Sequence, residues 1–199
     1  MQTKGTADPV ADEVLVRAVL AGEADAFKTL IRQYERLVLL IVFKMVKREI
    51  DREDLCQDVF LKVYDKLQSF RFGSKLSTWI GTIAYNTCVN YLRKNKISLL
   101  GEYEHEEEEG GYSSRNILEK SELREQPDEL FISKESKLSL WKLVDELTPM
   151  QQTVIGLFHQ QEMKMEEIAE VMNMPMGSVK SHLHRGRQAL KTKLLELNK

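Results

Sequence analysis

Between Lys180 and Glu196 the chain places five basic side chains, Lys180, Arg185, Arg187, Lys191 and Lys193, against one acid. Ser181, His182 and His184 lie among them. The chemistry open to such a set is non-covalent. Cations neutralise phosphates, while guanidinium, hydroxyl and imidazole groups hydrogen-bond to base edges. The preceding residues say how the set is carried. Glu166–Met172 reads as a short amphipathic helix with Ile168, Ala169 and Met172 on one face. Asn173-Met174-Pro175-Met176-Gly177 reads as a turn, with two residues that tolerate positive φ and a proline that stops the first helix. Ser178 is then a candidate N-cap for a second helix. Small Ala169 suits a close helix approach, Asn173 follows four residues on, and Val179 comes ten residues after Ala169 and is expected to pack inward. This is a helix-turn-helix, and a basic second helix in it is the kind that enters a major groove.

A second constellation lies upstream. Ser69-Phe70-Arg71-Phe72-Gly73-Ser74-Lys75-Leu76-Ser77-Thr78-Trp79 leads a loop into a helix that later carries Tyr85, Asn86, Asn90, Arg93 and Lys94. An unstacked base needs a π-face, hydrogen-bonding groups for its edge and cations for its phosphate. Aromatics, small hydroxyls, amides and basic groups supply all three. Trp79 and Phe70 weigh more as core than as stacking platforms. The polar set is the sharper signal, because a merely solvated helix face carries more glutamate and less asparagine. A third group, Asp51, Glu53, Asp54, Gln57 and Asp58, puts acids and an amide on a helix that is apolar opposite. It is a solvated face or a docking surface for a basic partner.

No cysteine–histidine spacing fits a zinc site. His182 and His184, two residues apart on a helix, point to different faces. No metal, cofactor or catalytic residue is therefore expected, and the chain is not read as an enzyme. Cys56 and Cys88 sit inside apolar helical patterns and read as small buried hydrophobes. The longest apolar run, Leu37–Phe43, is too short to span a bilayer. With a polar N-terminus, this points to a soluble, cytoplasmic protein without membrane insertion.

The 199 residues carry a net charge of only -2, but the charge is uneven. Residues 1–100 sum to +4, residues 101–146 to -8 and residues 147–199 to +2. Glycine and proline are sparse, at 10 and 4, and long periodic apolar segments dominate, so the expected fold is all-α. Helices are expected from Ala11 to Ala21, from a cap at Asp25 through Val46, from Asp51 through a buried side of Leu55, Val59, Leu61, Val63 and Leu67, and from Lys75 to Lys94. Two more follow, from Asp128 to Leu147 and from a capping box at Thr148-Pro149-Met150-Gln151. The organisation is a flexible N-terminus (1–10), a helical domain (11–96), an acidic flexible linker (97–127) containing Glu106–Glu109, and a second small domain (128–199) that ends in the helix-turn-helix.

Asp54-Leu55-Cys56-Gln57-Asp58-Val59-Phe60, Ser77-Thr78-Trp79-Ile80-Gly81-Thr82-Ile83-Ala84-Tyr85-Asn86, Tyr91-Leu92-Arg93 and Gly177-Ser178-Val179-Lys180-Ser181-His182-Leu183 together resemble a bacterial RNA polymerase sigma factor. The two-domain layout is similar to the extracytoplasmic-function (ECF) group, and the resemblance covers about residues 11–96 and 128–196. It implies a transcription initiation factor that takes core RNA polymerase to promoter DNA. Asp54, Gln57 and Asp58 would dock on the clamp coiled coil of the largest polymerase subunit, and the C-terminal domain on the flap of the second subunit. Phe70, Arg71, Lys75, Ser77 and Thr78 would take up a flipped base of the −10 element, which Asn86, Asn90 and Arg93 would contact as the duplex opens. Lys180, Ser181, His182, His184, Arg185 and Arg187 would read the −35 element. An anti-sigma factor is a further partner of such proteins. The acidic linker would run along the RNA path, as an RNA mimic or as a plain spacer. The position of His182 is often arginine in the family, which leaves base preference open.

Two other readings compete. A stand-alone helix-turn-helix regulator would bind a palindromic site as a dimer without polymerase. A nuclease using His182, His184 and nearby acids lacks a metal cluster, a nucleophile–base pair and a phosphate loop.

Overall fold

The computed structural model describes residues 9–94 and 143–197. Seven α-helices account for most of them: α1 (Pro9–Leu20), α2 (Ala24–Met45), α3 (Glu49–Lys66), α4 (Leu76–Lys94), α5 (Pro149–His159), α6 (Met165–Val171) and α7 (Met176–Leu197). A 3₁₀ turn, Leu67–Ser69, follows α3, and no strand occurs among the described residues. The expected linker, the helix from Asp128 as far as residue 142, and residues 1–8 lie outside the described residues.

Local chemistry sets most helix ends. Gly22 ends α1 with φ +85°. Thr148 Oγ1 accepts from Gln151 N at 3.4 Å and Gln151 Oε1 accepts from Thr148 N at 3.2 Å, closing the capping box with Pro149 in the first turn. Four ends differ from expectation. The helix α1 begins at Pro9. Glu23, not Asp25, precedes α2, which leaves Asp25 in the first turn, where the helix dipole favours an acid. The helix α3 begins at Glu49, since Arg52 turns back to cap the end of α2, donating to Val46 O at 2.8 Å and Lys47 O at 3.1 Å. Ser178 lies inside α7. The Pro175 carbonyl accepts from Ser178 N and Val179 N, so the helix starts at Met176 and Gly177 is helical. Asn173 alone in that turn takes a positive φ, +47°.

The helix α2 is the central post, packed by α1, α3, α4 and α5. Leu30, Leu40 and Ile41 of α2, Ile80 of α4, Leu157 of α5 and Ile168 of α6 are all at most 2% exposed and belong to one continuous core. Each such side chain contributes about 1.5–3 kcal/mol. The two helical units therefore do not stand apart, because α5 lies on α2 and α6 lies on α4. Cys88 is buried and Cys56 half-buried, both are unpaired, and burial pushes both thiols up to about 12. They act as packing groups.

Candidate nucleic-acid interface

The helix α7 is held by one buried stripe, Val179, Leu183 and Gly186, against the rest of the C-terminal unit. Lys180, Ser181, His184, Arg185 and Arg187 are exposed and His182 is half-buried. These residues do not behave alike. Ser181 Oγ donates to Gly177 O at 2.9 Å, and Arg185 Nε leans on Ser181 O at 3.4 Å, so Arg185 keeps its other donors for a ligand. Arg187 turns back onto α5. Its guanidinium lies 5.1 Å over the Phe158 ring and 3.1 Å from His159 Nε2. Partial burial, then Arg185, lowers the His182 imidazole below its usual range. Partial burial, then Arg187, does the same for His159.

The upstream constellation divides as well. Arg71, Lys75, Asn86, Asn90 and Arg93 are exposed and Ser77 is half-buried. Arg93 donates to Asn90 Oδ1 at 2.6 Å, one helical turn away, which fixes the pair on the outer face of α4. Phe70 and Thr78, expected at the flipped base, are 7% and 1% exposed and are not accessible in this packing. The Phe70 ring sits 5.1 Å from Trp79 and 4.8 Å from Phe72 and fills the base of the loop. The accessible aromatic is Phe72, 46% exposed, with φ +56°. It lines a shallow cleft with Asp12, Glu13, Phe70, Ser74, Lys75 and Leu76. Phe72 was not singled out from the sequence. Its position before Gly73 in a loop that must turn sharply was the one available signal. A bulky residue at positive φ stores strain and marks a held position.

On α3, Asp54, Gln57 and Asp58 all face outward while Leu55, Val59 and Val63 are buried. Leu61, expected on the buried side, is 61% exposed, because two residues from Val59 is more than half a helical turn. With Tyr64, 53% exposed, it extends the same outward face. No helix among the described residues is long and apolar enough to cross a membrane.

Residues 30–97 match the family Sigma-70 region 2, and residues 137–190 match Sigma-70, region 4. The chain is 31% identical over 194 residues to the ECF RNA polymerase sigma-E factor of Escherichia coli K12, covering 96% of this chain and 97% of that one. It is 30% identical over 182 residues to the ECF RNA polymerase sigma factor SigW of Bacillus subtilis, covering 92% and 96%. The chain is an ECF sigma factor. It is thus a non-enzymatic transcription initiation factor that works with RNA polymerase on promoter DNA. Two solved structures share the fold of this sigma factor. CnrH in complex with the cytosolic domain of CnrY has a TM-score of 0.60 at 17% identity, covering 96% of this chain and all of that one. The sigma factor RpoE with the anti-sigma factor NepR, from Bartonella quintana, has a TM-score of 0.59 at 22% identity, covering 87% and 98%.

Proposed function

We propose that this sigma factor divides its work among three surfaces. Asp54, Gln57 and Asp58 dock on the clamp coiled coil of the largest polymerase subunit, and the C-terminal unit engages the flap of the second. Arg71, Lys75, Ser77, Asn86, Asn90 and Arg93 engage the −10 element, joined by Phe70 and Thr78 once they are uncovered. Lys180, Ser181, His182, His184, Arg185 and Arg187 engage the −35 element. The domains are 11–96 and 128–199, and the protein works in the cytoplasm.

The observation that carries this reading is that α4 and α7 each back a polar outer row onto a separate apolar stripe. Apart from Arg187, which packs on Phe158, the outer rows are turned away from the core. Two modest DNA readers on one polymerase gain by effective concentration, with about 1–3 kcal/mol of discrimination from each good base-edge contact. Catching an extruded base offsets the few kcal/mol of unstacking. With a net charge of -2, the free protein holds DNA weakly. An anti-sigma factor is a natural regulator, in line with the Bartonella relative captured with one.

The test is transcription by core polymerase plus this protein on a genomic library, with sequencing of start sites. A shared pair of upstream elements at fixed spacing is expected. DNA binding that is the same with and without polymerase would favour the stand-alone regulator instead.

A further inference from the structure

Two cross-links fix the seam between α3 and α4. Tyr91 Oη donates to Asp51 Oδ2, and farther along Lys62 Nζ donates to Thr87 Oγ1 at 3.3 Å. The second link is unusual. Thr87 is 5% exposed and Lys62 is half-buried, so a long cation is held against α4 by a hydroxyl and not by an acid. Asp58 and Asp65 lie one helical turn to either side of Lys62 on α3. Neither pairs with it, and Lys62 forms no ion pair among the described residues. The hydroxyl takes one of the three ammonium donors and leaves two open. Drawing a cation partly out of water without a counter-charge costs free energy, which an arriving anion would recover.

The neighbours say which anion. Thr87, Asn90 and Lys94 follow at steps of three and four, so they share the edge of α4 on which Lys62 rests. Asn90 and Lys94 are exposed. Arg93 occupies the Asn90 amide oxygen at 2.6 Å and leaves that amide its two N–H groups. The edge therefore offers donors alone. A base edge presents donors and acceptors together, whereas a phosphodiester only accepts. From Thr87 to Lys94 is about 10 Å along the helix, or about three nucleotide steps at roughly 3.4 Å each.

We propose that Lys62, seated on Thr87 and flanked by Asn90 and Lys94, binds one backbone phosphate of the −10 strand. This rests on the reading of Asn86, Asn90 and Arg93 given above. Phosphate contacts fix register and base contacts specify. A cation clamped at the α3–α4 seam sets where the strand lies before the outer row of α4 meets its bases. The helix α3 then serves two partners. Its outer row, Asp54, Gln57 and Asp58, meets polymerase, and its α4 edge meets DNA. One rigid element holds the docking face and the DNA track at a fixed offset.

Neutralising phosphates one at a time tests the site. Core polymerase loaded with the full-length protein is given single-stranded −10 DNA in which a methylphosphonate replaces each phosphate in turn. With the parent protein, one substitution should weaken binding by about threefold or more. Lys62→Met should bind the unmodified strand more weakly by the same factor and become indifferent to that one substitution. It should also lower the slope of log affinity against log salt by about 0.7. Lys62→Arg should restore both, and each variant should compete for core polymerase as the parent does. A Lys62→Met protein with the parent's phosphate profile and salt slope overturns the proposal. So does one that loses polymerase binding while keeping the slope, which would place Lys62 in the docking face. Asn86→Ala with Asn90→Ala checks the underlying reading separately. If that variant binds −10 DNA as tightly as the parent, the reading of α4 fails and the phosphate site falls with it. If it binds weakly while Lys62→Met binds normally, the phosphate site alone falls.

Discussion

Gly156 of α5 is pressed onto Leu40 of α2: a Cβ there would lie 2.7, 3.1 and 3.2 Å from Leu40 Cδ1, Cδ2 and Cγ. Leu40 is 2% exposed and has nowhere to retreat. Gly156→Ala should therefore lose about 1–3 kcal/mol to overpacking, only partly offset by about 1 kcal/mol of helix propensity. Gly186 offers the contrast, for its Cβ would crowd Ile155 Cδ1 alone at 2.7 Å, with the next atom at 3.5 Å. Rotation of one methyl-bearing bond relieves that. Gly186→Ala should be neutral or stabilising in denaturant unfolding. A Gly156→Ala protein as stable as the parent would mean that the α2–α5 contact is loose.

Phe70 and Phe72 are neighbours with opposite duties. Phe70→Ala empties a core position and should cost about 3–5 kcal/mol. Phe72→Ala removes an exposed ring and one aromatic pair, so its stability cost should stay under about 1.5 kcal/mol. Promoter opening, read by permanganate reactivity of unpaired thymines, should nevertheless fall with Phe72→Ala. Normal opening in that variant would exclude Phe72 from base capture.

Helix content, the capping box at Thr148 and the helix-turn-helix were legible in the sequence because each depends on local chemistry and short spacing. The division between Phe70 and Phe72 was not, since it depends on which ring Trp79 accepts as a packing partner. The exposure of Leu61 could have been read from helical periodicity, which places it opposite Val59. The α2–α5 and α4–α6 contacts were illegible for a plainer reason. They join residues about a hundred positions apart, and Gly81 and Gly156 look like any helical glycine until Val171 and Leu40 are seen against them.

Asp58 faces outward beside Asp54 and Gln57 and is exposed. Asp58→Lys should leave folding within about 0.5 kcal/mol of the parent. It should also compete poorly for core polymerase against a labelled reference factor. Unimpaired competition would move the docking face off α3.

Arg185 and Arg187 separate binding from architecture. Arg185→Ala should weaken −35-dependent transcription, lower the salt dependence of DNA binding by about one phosphate contact, and leave both folding and polymerase binding intact. Arg187→Ala also strips a cation from the Phe158 ring, an interaction of about 0.5–1 kcal/mol at an exposed site. It should reduce the unfolding stability of the C-terminal unit together with DNA affinity. Equal stability of the two variants would assign Arg187 to DNA alone.

The two lowered histidines give acid opposite effects on stability and on binding. His159 is held below its usual value of about 6.5 by partial burial and by Arg187. The unfolded chain therefore binds the proton more readily, and stability rises with pH. The α5–α7 contact should be fully stable above about pH 7 and weaken as pH falls from 6.5 through the lower folded value. His182, lowered by partial burial and Arg185, is neutral in the free protein at pH 7. A nearby DNA phosphate favours its charged form, so binding takes up a proton and tightens as pH falls toward the free-protein value. His159→Gln should flatten the stability profile and spare the binding profile, and His182→Gln should flatten the pH dependence of binding. Unfolding midpoints and DNA affinities measured between pH 5.5 and 8 on the same three proteins decide the matter, and flat profiles in the parent would remove both assignments.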